Sequence, residues 1–403
     1  MPWFIPFNNL DPDQQEFVDD RKNNKYFITG FAGTGKSVVL VHKLIKIYQE
    51  NPDAKCCIIS FTHALLEMFK LGIEENGLLT KRVSNEVNSC CAQKGQIDLV
   101  TKYEFRKNIQ KSNSIKYDFI MIDEVQDLCK SDLINLINSG TNSFYLGGDE
   151  NQSIYSEDPQ DKEPTLQPFE IRNTVQANSK QLVTLYRITP SILKVAKLIM
   201  PELEEKLLGT RFGHRRDTDV ILANAVDERE EVKYVIENAL TYAEDIELTA
   251  IFFPQHTWIK DFCTHLFEMY NVELTQEISG YLRSRNYTEL NKVFLNNDMR
   301  IEYVGNEHGS FRHAKEKHNV VLMTYHSAKG MDFDNVFIPF LSSSRHERFS
   351  YFLPKPLMVA STRSNFNLTF SYSGESMACI DAIRNACFTI DIDSEKDTDY
   401  FKL

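Results

Sequence analysis

Eight consecutive residues carry the clearest chemistry in the chain: Gly30-Phe31-Ala32-Gly33-Thr34-Gly35-Lys36-Ser37. Small residues let backbone N–H groups close around phosphate oxygens, and an ammonium and a hydroxyl follow at fixed spacing, which is a P-loop. Gly33, Thr34 and Gly35 line the cradle, Lys36 reaches the β- and γ-phosphates as a point charge, and Ser37 ligates Mg²⁺. A second constellation, Asp123-Glu124-Val125-Gln126-Asp127, directly follows the apolar run Phe119–Ile122. Asp123 suits the second Mg²⁺ contact, and Glu124 suits the base that orients and deprotonates an attacking water. Gly147-Gly148-Asp149-Glu150-Asn151-Gln152 follows the next apolar run, and the Gln152 amide suits a sensor of the terminal phosphate.

Such groups need rigid elements beneath them. The P-loop follows the strand pattern Tyr26–Thr29 and precedes an apolar helix beginning near Val38, whose N-terminus adds a field that favours anions. Short apolar runs alternate with helical patterns along the whole chain: Cys56–Ser60, Phe119–Ile122 and Phe144–Leu146, then Val220–Leu222, Thr249–Phe253, Val320–Met323, Val336–Pro339 and Leu368–Ser371. That alternation predicts parallel strands with helical crossovers, an α/β fold in two units. We place the units at residues 1–177 and 178–403, with a small exposed insertion at about 278–318 where polar and basic residues dominate. No internal repeat is apparent.

The 403 residues allow two or three domains at roughly 150 residues each. No run approaches the ~18 apolar residues needed to span a bilayer, so no membrane association is expected. The formal net charge of −12, from 45 Lys+Arg and 57 Asp+Glu, argues against a histone-like basic coat. It leaves room for a local basic groove. Eight cysteines, including the adjacent pairs Cys56-Cys57 and Cys90-Cys91, form no CxxC ladder and read as reduced thiols of a cytoplasmic protein.

Taken in order, the motifs resemble those of UvrD/Rep-type superfamily 1A DNA helicases, in a compact form. Leu10-Asp11-Pro12-Asp13-Gln14-Gln15 is similar to the family's adenine-reading Q motif, which implies that Gln14 binds adenine. Leu185-Tyr186-Arg187 resembles motif IV, implying Tyr186 stacked on the base and Arg187 on the γ-phosphate. Thr324-Tyr325-His326-Ser327-Ala328-Lys329-Gly330-Met331-Asp332-Phe333 is similar to motif V, with Asp332 where the family has Glu. It implies nucleotide contacts from Gly330 and Asp332 and strand contacts from Thr324 and His326. Val359-Ala360-Ser361-Thr362-Arg363 is similar to motif VI, making Arg363 a second arginine finger. The resemblance implies two RecA-like P-loop NTPase domains in tandem with the ATP site in the cleft between them. ATP and Mg²⁺ are the implied cofactors.

Single-stranded DNA or a DNA junction is the implied partner. Ser60-Phe61-Thr62-His63-Ala64 resembles motif Ia, and Thr101-Lys102-Tyr103-Glu104-Phe105 resembles motif Ib. These would place the Thr62 and Thr101 hydroxyls on phosphate and the rings of Phe61 and Tyr103 against bases. Gly148-Asp149-Glu150-Asn151-Gln152-Ser153-Ile154-Tyr155 resembles motif III, the link from ATP to the strand, and would add the Tyr155 ring. The implied activity is ATP-dependent, 3′→5′ translocation on single-stranded DNA.

The chain departs from the family in its accessory parts. About a dozen residues separate Phe105 from the strand leading to Asp123, too few to build a core, so the first accessory domain is absent. The second is absent or vestigial. Val38 replaces the Arg usual after the P-loop, and Ser156-Glu157-Asp158 stands where the family has a base-stacking Trp. These departures motivate an alternative: an ATPase subunit that senses nucleic acid or nucleotide and gates a partner, such as a nuclease of a repair or defence complex, without unwinding alone. A small-molecule kinase would not need motifs III and V.

Overall fold

A computed structural model describes residues 4–82, 94–109, 117–138, 143–149, 165–166, 168–213, 217–245, 247–305, 308–345 and 354–392. The chain divides into two compact units. The first runs to Tyr186 and takes back Gly209–Gly213; the second holds Arg187–Leu208 and the chain from His214 onward.

The first unit is built on β1 (Lys25–Thr29), β2 (Cys56–Ser60), β3 (Leu79–Arg82), β4 (Gln96–Thr101), β5 (Phe119–Ile122), β6 (Phe144–Gly148) and β7 (Asn178–Gln181). They form one parallel sheet in the order β3-β4-β2-β5-β6-β1-β7. A parallel sheet needs helical crossovers that cover both faces, so its central strands read as continuous apolar runs. Every residue of β2, β5 and β6 is buried. Successive side chains serve opposite faces. Cys56 and Ile58 of β2 join Phe119 and Met121 of β5 in one core, while Cys57 and Ile59 join Ile120 and Ile122 in the other. Helices α1 (Pro12–Asp19), α2 (Lys36–Glu50), α3 (His63–Glu74) and α4 (Lys102–Ile109) belong to this unit. A two-strand ribbon, β8 (Thr184–Leu185) and β9 (Arg211–Phe212), completes it.

The second sheet comprises β10 (Ile221–Ala225), β11 (Thr249–Phe253), β12 (Ile301–Tyr303), β13 (Val320–Thr324), β14 (Phe333–Ile338), β15 (Ser364–Ser373) and β16 (Phe388–Ile392). Its order is β12-β13-β11-β14-β15-β10-β16, again parallel throughout. Ranked along the chain, both sheets read 3-4-2-5-6-1-7. The two units are thus one topology used twice, and the helix Glu228–Glu244 follows β10 as α2 follows β1.

The α/β expectation holds, and two details of the sequence reading are corrected. The division at 177/178 falls too early, because β7 hydrogen-bonds β1 from Tyr26↔Asn178 to Thr29↔Gln181 and keeps the chain with the first sheet. The segment 278–318 is no exposed insertion. Its strand β12 forms the edge of the second sheet, and Leu282, Tyr287, Leu290, Phe294, Ile301 and Tyr303 enter that unit's core. The polar residues between them mask an apolar face at helical spacing. Among the described residues, no helix is long and apolar enough to cross a membrane.

Candidate active site

The P-loop occupies the turn from β1 into α2. Gly35 precedes the helix with φ +84°, a backbone state that a side chain strains, and a Cβ there would stand 2.7 Å from Gln14 Nε2. Lys36 is buried, and its ammonium donates to the carbonyls of Gly30 (2.8 Å) and Phe31 (3.2 Å) across the loop. Thr34 is buried with its hydroxyl donating to Phe31 O at 2.9 Å. Gly33 has φ +76°, and its carbonyl accepts the Tyr186 N–H at 2.9 Å.

Ser37, on the first turn of α2, donates its hydroxyl hydrogen bond to Asp123 Oδ2 at 2.6 Å. Asp123 stands just past the end of β5, fully enclosed. Burial first, and the neighbouring Glu124 carboxylate second, push its carboxyl from 3.8 up to about 6. A carboxylate held so far from water gains from a cation beside it. Mg²⁺ is commonly held by one or two protein oxygens together with substrate phosphates. Ser37 Oγ and Asp123 Oδ2 fit that pattern. Among the described residues, no cluster of three or more His, Cys, Asp or Glu side chains offers a separate metal cage.

Glu124 adopts φ +55°, a left-handed conformation that costs a non-glycine residue on the order of 1 kcal/mol. Its carboxylate accepts a hydrogen bond from Gln126 Nε2 at 2.5 Å, and Gln126 Oε1 accepts the Asp149 N–H at 3.0 Å. Gln126 therefore ties the base candidate to the end of β6. This is a positioning role the sequence reading did not assign, although the Glu-x-Gln spacing carries it. Gln152 lies outside the described residues.

The base-reading end is organised by Asp11, also unassigned from sequence. Asp11 Oδ1 accepts the Gln14 N–H at 2.8 Å, and Gln14 Oε1 accepts the Asp11 N–H at 3.1 Å, a reciprocal cap on α1. Gln14, almost fully buried, also donates from Nε2 to Thr34 O at 3.0 Å. The other Asp11 oxygen accepts the Tyr186 hydroxyl. Burial, then Asp11, raises the Tyr186 hydroxyl above its usual range, so it stays a donor. Gln14, Gly33, Thr34, Gly35, Lys36, Ser37, Asp123, Glu124 and Tyr186 are thus gathered in the first unit.

In the second unit, the segment around Met331 collects the two arginines. Arg187 Nη1 donates to Asp332 Oδ2. Arg363, buried, donates from Nε to Val359 O (3.1 Å) and from Nη1 to Met331 O (3.4 Å), while Phe333 N donates to Arg363 O (2.9 Å). Gly330, φ +80°, turns the chain into this segment.

The residues expected to touch a nucleic acid separate into two groups. Phe61 lies in the first unit's core, with the Lys102 ammonium 4.7 Å from its ring centroid. Thr101 is buried: its N–H and hydroxyl donate to Glu104 Oε2 (2.7 and 2.8 Å), and its Oγ1 accepts the Glu104 N–H (3.2 Å). Thr324 is buried and caps the turn Tyr325–Ala328 through the Ser327 N–H (3.2 Å). These three face the interior of their units in this structure. Thr62 caps α3 by accepting the Leu65 N–H (3.2 Å), Tyr103 is half-buried, and His326 is exposed. Tyr155 lies outside the described residues.

The first unit is, by fold and by site, an α/β P-loop nucleotide-binding domain. The family described as "AAA domain" matches residues 14–158. No curated protein sequence matches the chain. One solved structure, described as "The structure of PRRSV helicase", is similar at 12% identity over 86% of this chain and 52% of that chain, with a TM-score of 0.43. The chain spans about half that protein's length, and a likeness at this level bears on neither activity nor substrate.

Proposed function

We propose that the chain is an Mg²⁺- and ATP-dependent translocase or helicase acting on single-stranded DNA, moving 3′→5′ as the motif resemblance implies. The observation that carries the hydrolytic part is the contact of Ser37 with the buried Asp123, beside Glu124 and at the mouth of the P-loop. Lys36 exchanges its loop carbonyls for β- and γ-phosphate oxygens. Ser37 and Asp123 hold Mg²⁺, which supplies neutralisation of the phosphate charge. Glu124, aimed by Gln126, takes the proton of the attacking water. Arg187 and Arg363 act as phosphate-responsive arginines, and an arginine finger is worth roughly 10³–10⁵ in rate. Thr62, Tyr103 and His326 are the proposed strand contacts.

ATP hydrolysis measured with and without single-stranded DNA tests this reading. Lys36→Ala and Glu124→Gln should each lower kcat by at least about 10²-fold. A wild-type rate that DNA fails to raise refutes the motor assignment.

One observation favours a second reading. The segment 278–318 is built into the sheet edge by β12, so no separate accessory domain stands at that point to grip duplex. We therefore keep the gating ATPase that works through a nuclease or similar partner. Robust unwinding of a forked duplex by the purified chain alone eliminates it.

A further inference from the structure

The ribbon β8–β9 has no role in phosphate chemistry, yet it touches the residue placed against the base. Arg211 N donates to Val183 O (3.0 Å), and Gly213 N donates to Leu185 O (2.7 Å). These bonds bring Gly209–Gly213 back to the first unit directly beside Tyr186. A Cβ built on Gly213 would stand 2.9 Å from Tyr186 Cδ1 and 3.3 Å from both Cε1 and Leu185 O. The Gly213 backbone therefore lies against the Cδ1–Cε1 side of the ring, a position that only a residue without a side chain occupies without displacement.

Tyr186 is held at three points. Its main-chain N–H is on the P-loop at Gly33 O, its hydroxyl is on Asp11, and its ring side is on Gly213. We propose that Gly209–Gly213 is a strap that positions the Tyr186 ring for a purine base, with Gly213 as the specificity-determining residue of the base subsite. The proposal rests on the nucleotide-hydrolysing reading of the same site. Two fused rings offer the largest flat area to a fixed aromatic plane, and fixing that plane in advance removes the ordering cost from binding. The strap's main-chain bonds go to Val183 and Leu185 and its close approach is to the Tyr186 ring, so its effect falls first on the base.

The test compares ATP with inorganic tripolyphosphate, which carries the phosphates without a base. In Gly213→Ala and Gly213→Val, the added methyl and isopropyl groups push the ring aside in graded fashion. KM for ATP should rise roughly three- to tenfold, the range of one lost ring stack, with the larger rise for Val. kcat should stay within about twofold and inhibition by tripolyphosphate within about twofold, because P-loop geometry is untouched. In a Tyr186→Leu background the Gly213 substitutions should add little, since their target is gone.

Three results overturn the strap: an unchanged KM in Gly213→Val, an equal loss of tripolyphosphate inhibition, or a full additional effect in the Tyr186→Leu background. A wild-type chain that binds neither ATP nor tripolyphosphate overturns the nucleotide reading, and the strap with it.

Discussion

Asp123→Asn should make the metal-free protein more stable at neutral pH while abolishing hydrolysis. In the native state, burial and Glu124 raise the Asp123 carboxyl from 3.8 to about 6. The folded protein therefore holds this proton more tightly than the unfolded chain does. The stabilisation is complete below pH ~4, erodes as pH climbs, and is gone above about 6. A shift of about 2 pH units at 1.36 kcal/mol each gives about 3 kcal/mol as the cost of ionising Asp123 in its site.

Asparagine avoids that cost and keeps the local hydrogen bonds. Its Oδ1 can accept the Glu124 N–H that Asp123 Oδ1 now accepts at 3.0 Å, and its Nδ2 can donate to Ser37 Oγ, because a hydroxyl both gives and takes. At about 2–4 °C per kcal/mol for a unit of this size, the variant should melt several degrees higher at pH 8 in EDTA. The advantage should shrink by roughly half at pH 5, midway through the window. Calorimetric scans of both proteins from pH 5 to 8 read this directly. A variant that melts lower than wild type at pH 8, or a gap that stays constant across pH, refutes the argument. Excess Mg²⁺ with nucleotide should reverse the order by stabilising wild type alone.

Gln126→Leu removes both the donor to Glu124 and the acceptor for Asp149 N–H; kcat should fall roughly 10- to 100-fold with nucleotide affinity within about threefold, checked by steady-state kinetics beside calorimetric binding. Thr101→Val should cost about 1 kcal/mol of stability through the lost bonds to Glu104, and leave single-stranded DNA affinity unchanged in fluorescence anisotropy.

The parts of the site that follow local spacing were legible in the sequence. Lys36 and Ser37 are placed by a turn whose backbone demands are written in Gly33 and Gly35, and Asp123 and Glu124 by a strand so apolar that it must end at the first acid. The fully buried strands β2, β11 and β13 were visible for the same reason. What escaped depends on partners distant in sequence. Phe61 reads as a surface aromatic until the core of β2 and β5 closes over it. The Thr101-x-x-Glu104 spacing is a capping signature, but a family motif at the same position suggested phosphate instead. The buried residues of 278–318 sit among Arg and Lys, and only the pairing of β12 with β13 reveals that they face inward. Strand β7 is polar and mostly exposed, so nothing in Asn178–Gln181 itself announces a sheet.

The repeated topology carries a stoichiometric consequence. In the second unit, the position that corresponds to the P-loop is the turn from β10 into Glu228–Glu244. There Asp227 accepts the Glu230 N–H at 2.9 Å, and Glu228, Glu230 and Glu231 crowd the first turn. That helix end is capped by the chain's own Asp227 with Glu230 beside it, an arrangement that disfavours a triphosphate, while Glu228 is paired with Arg345 and burial raises the Glu231 carboxyl to about 7. The same seat is a glycine cradle in one unit and an acid-capped helix start in the other, so saturating nucleotide should titrate to one equivalent per chain.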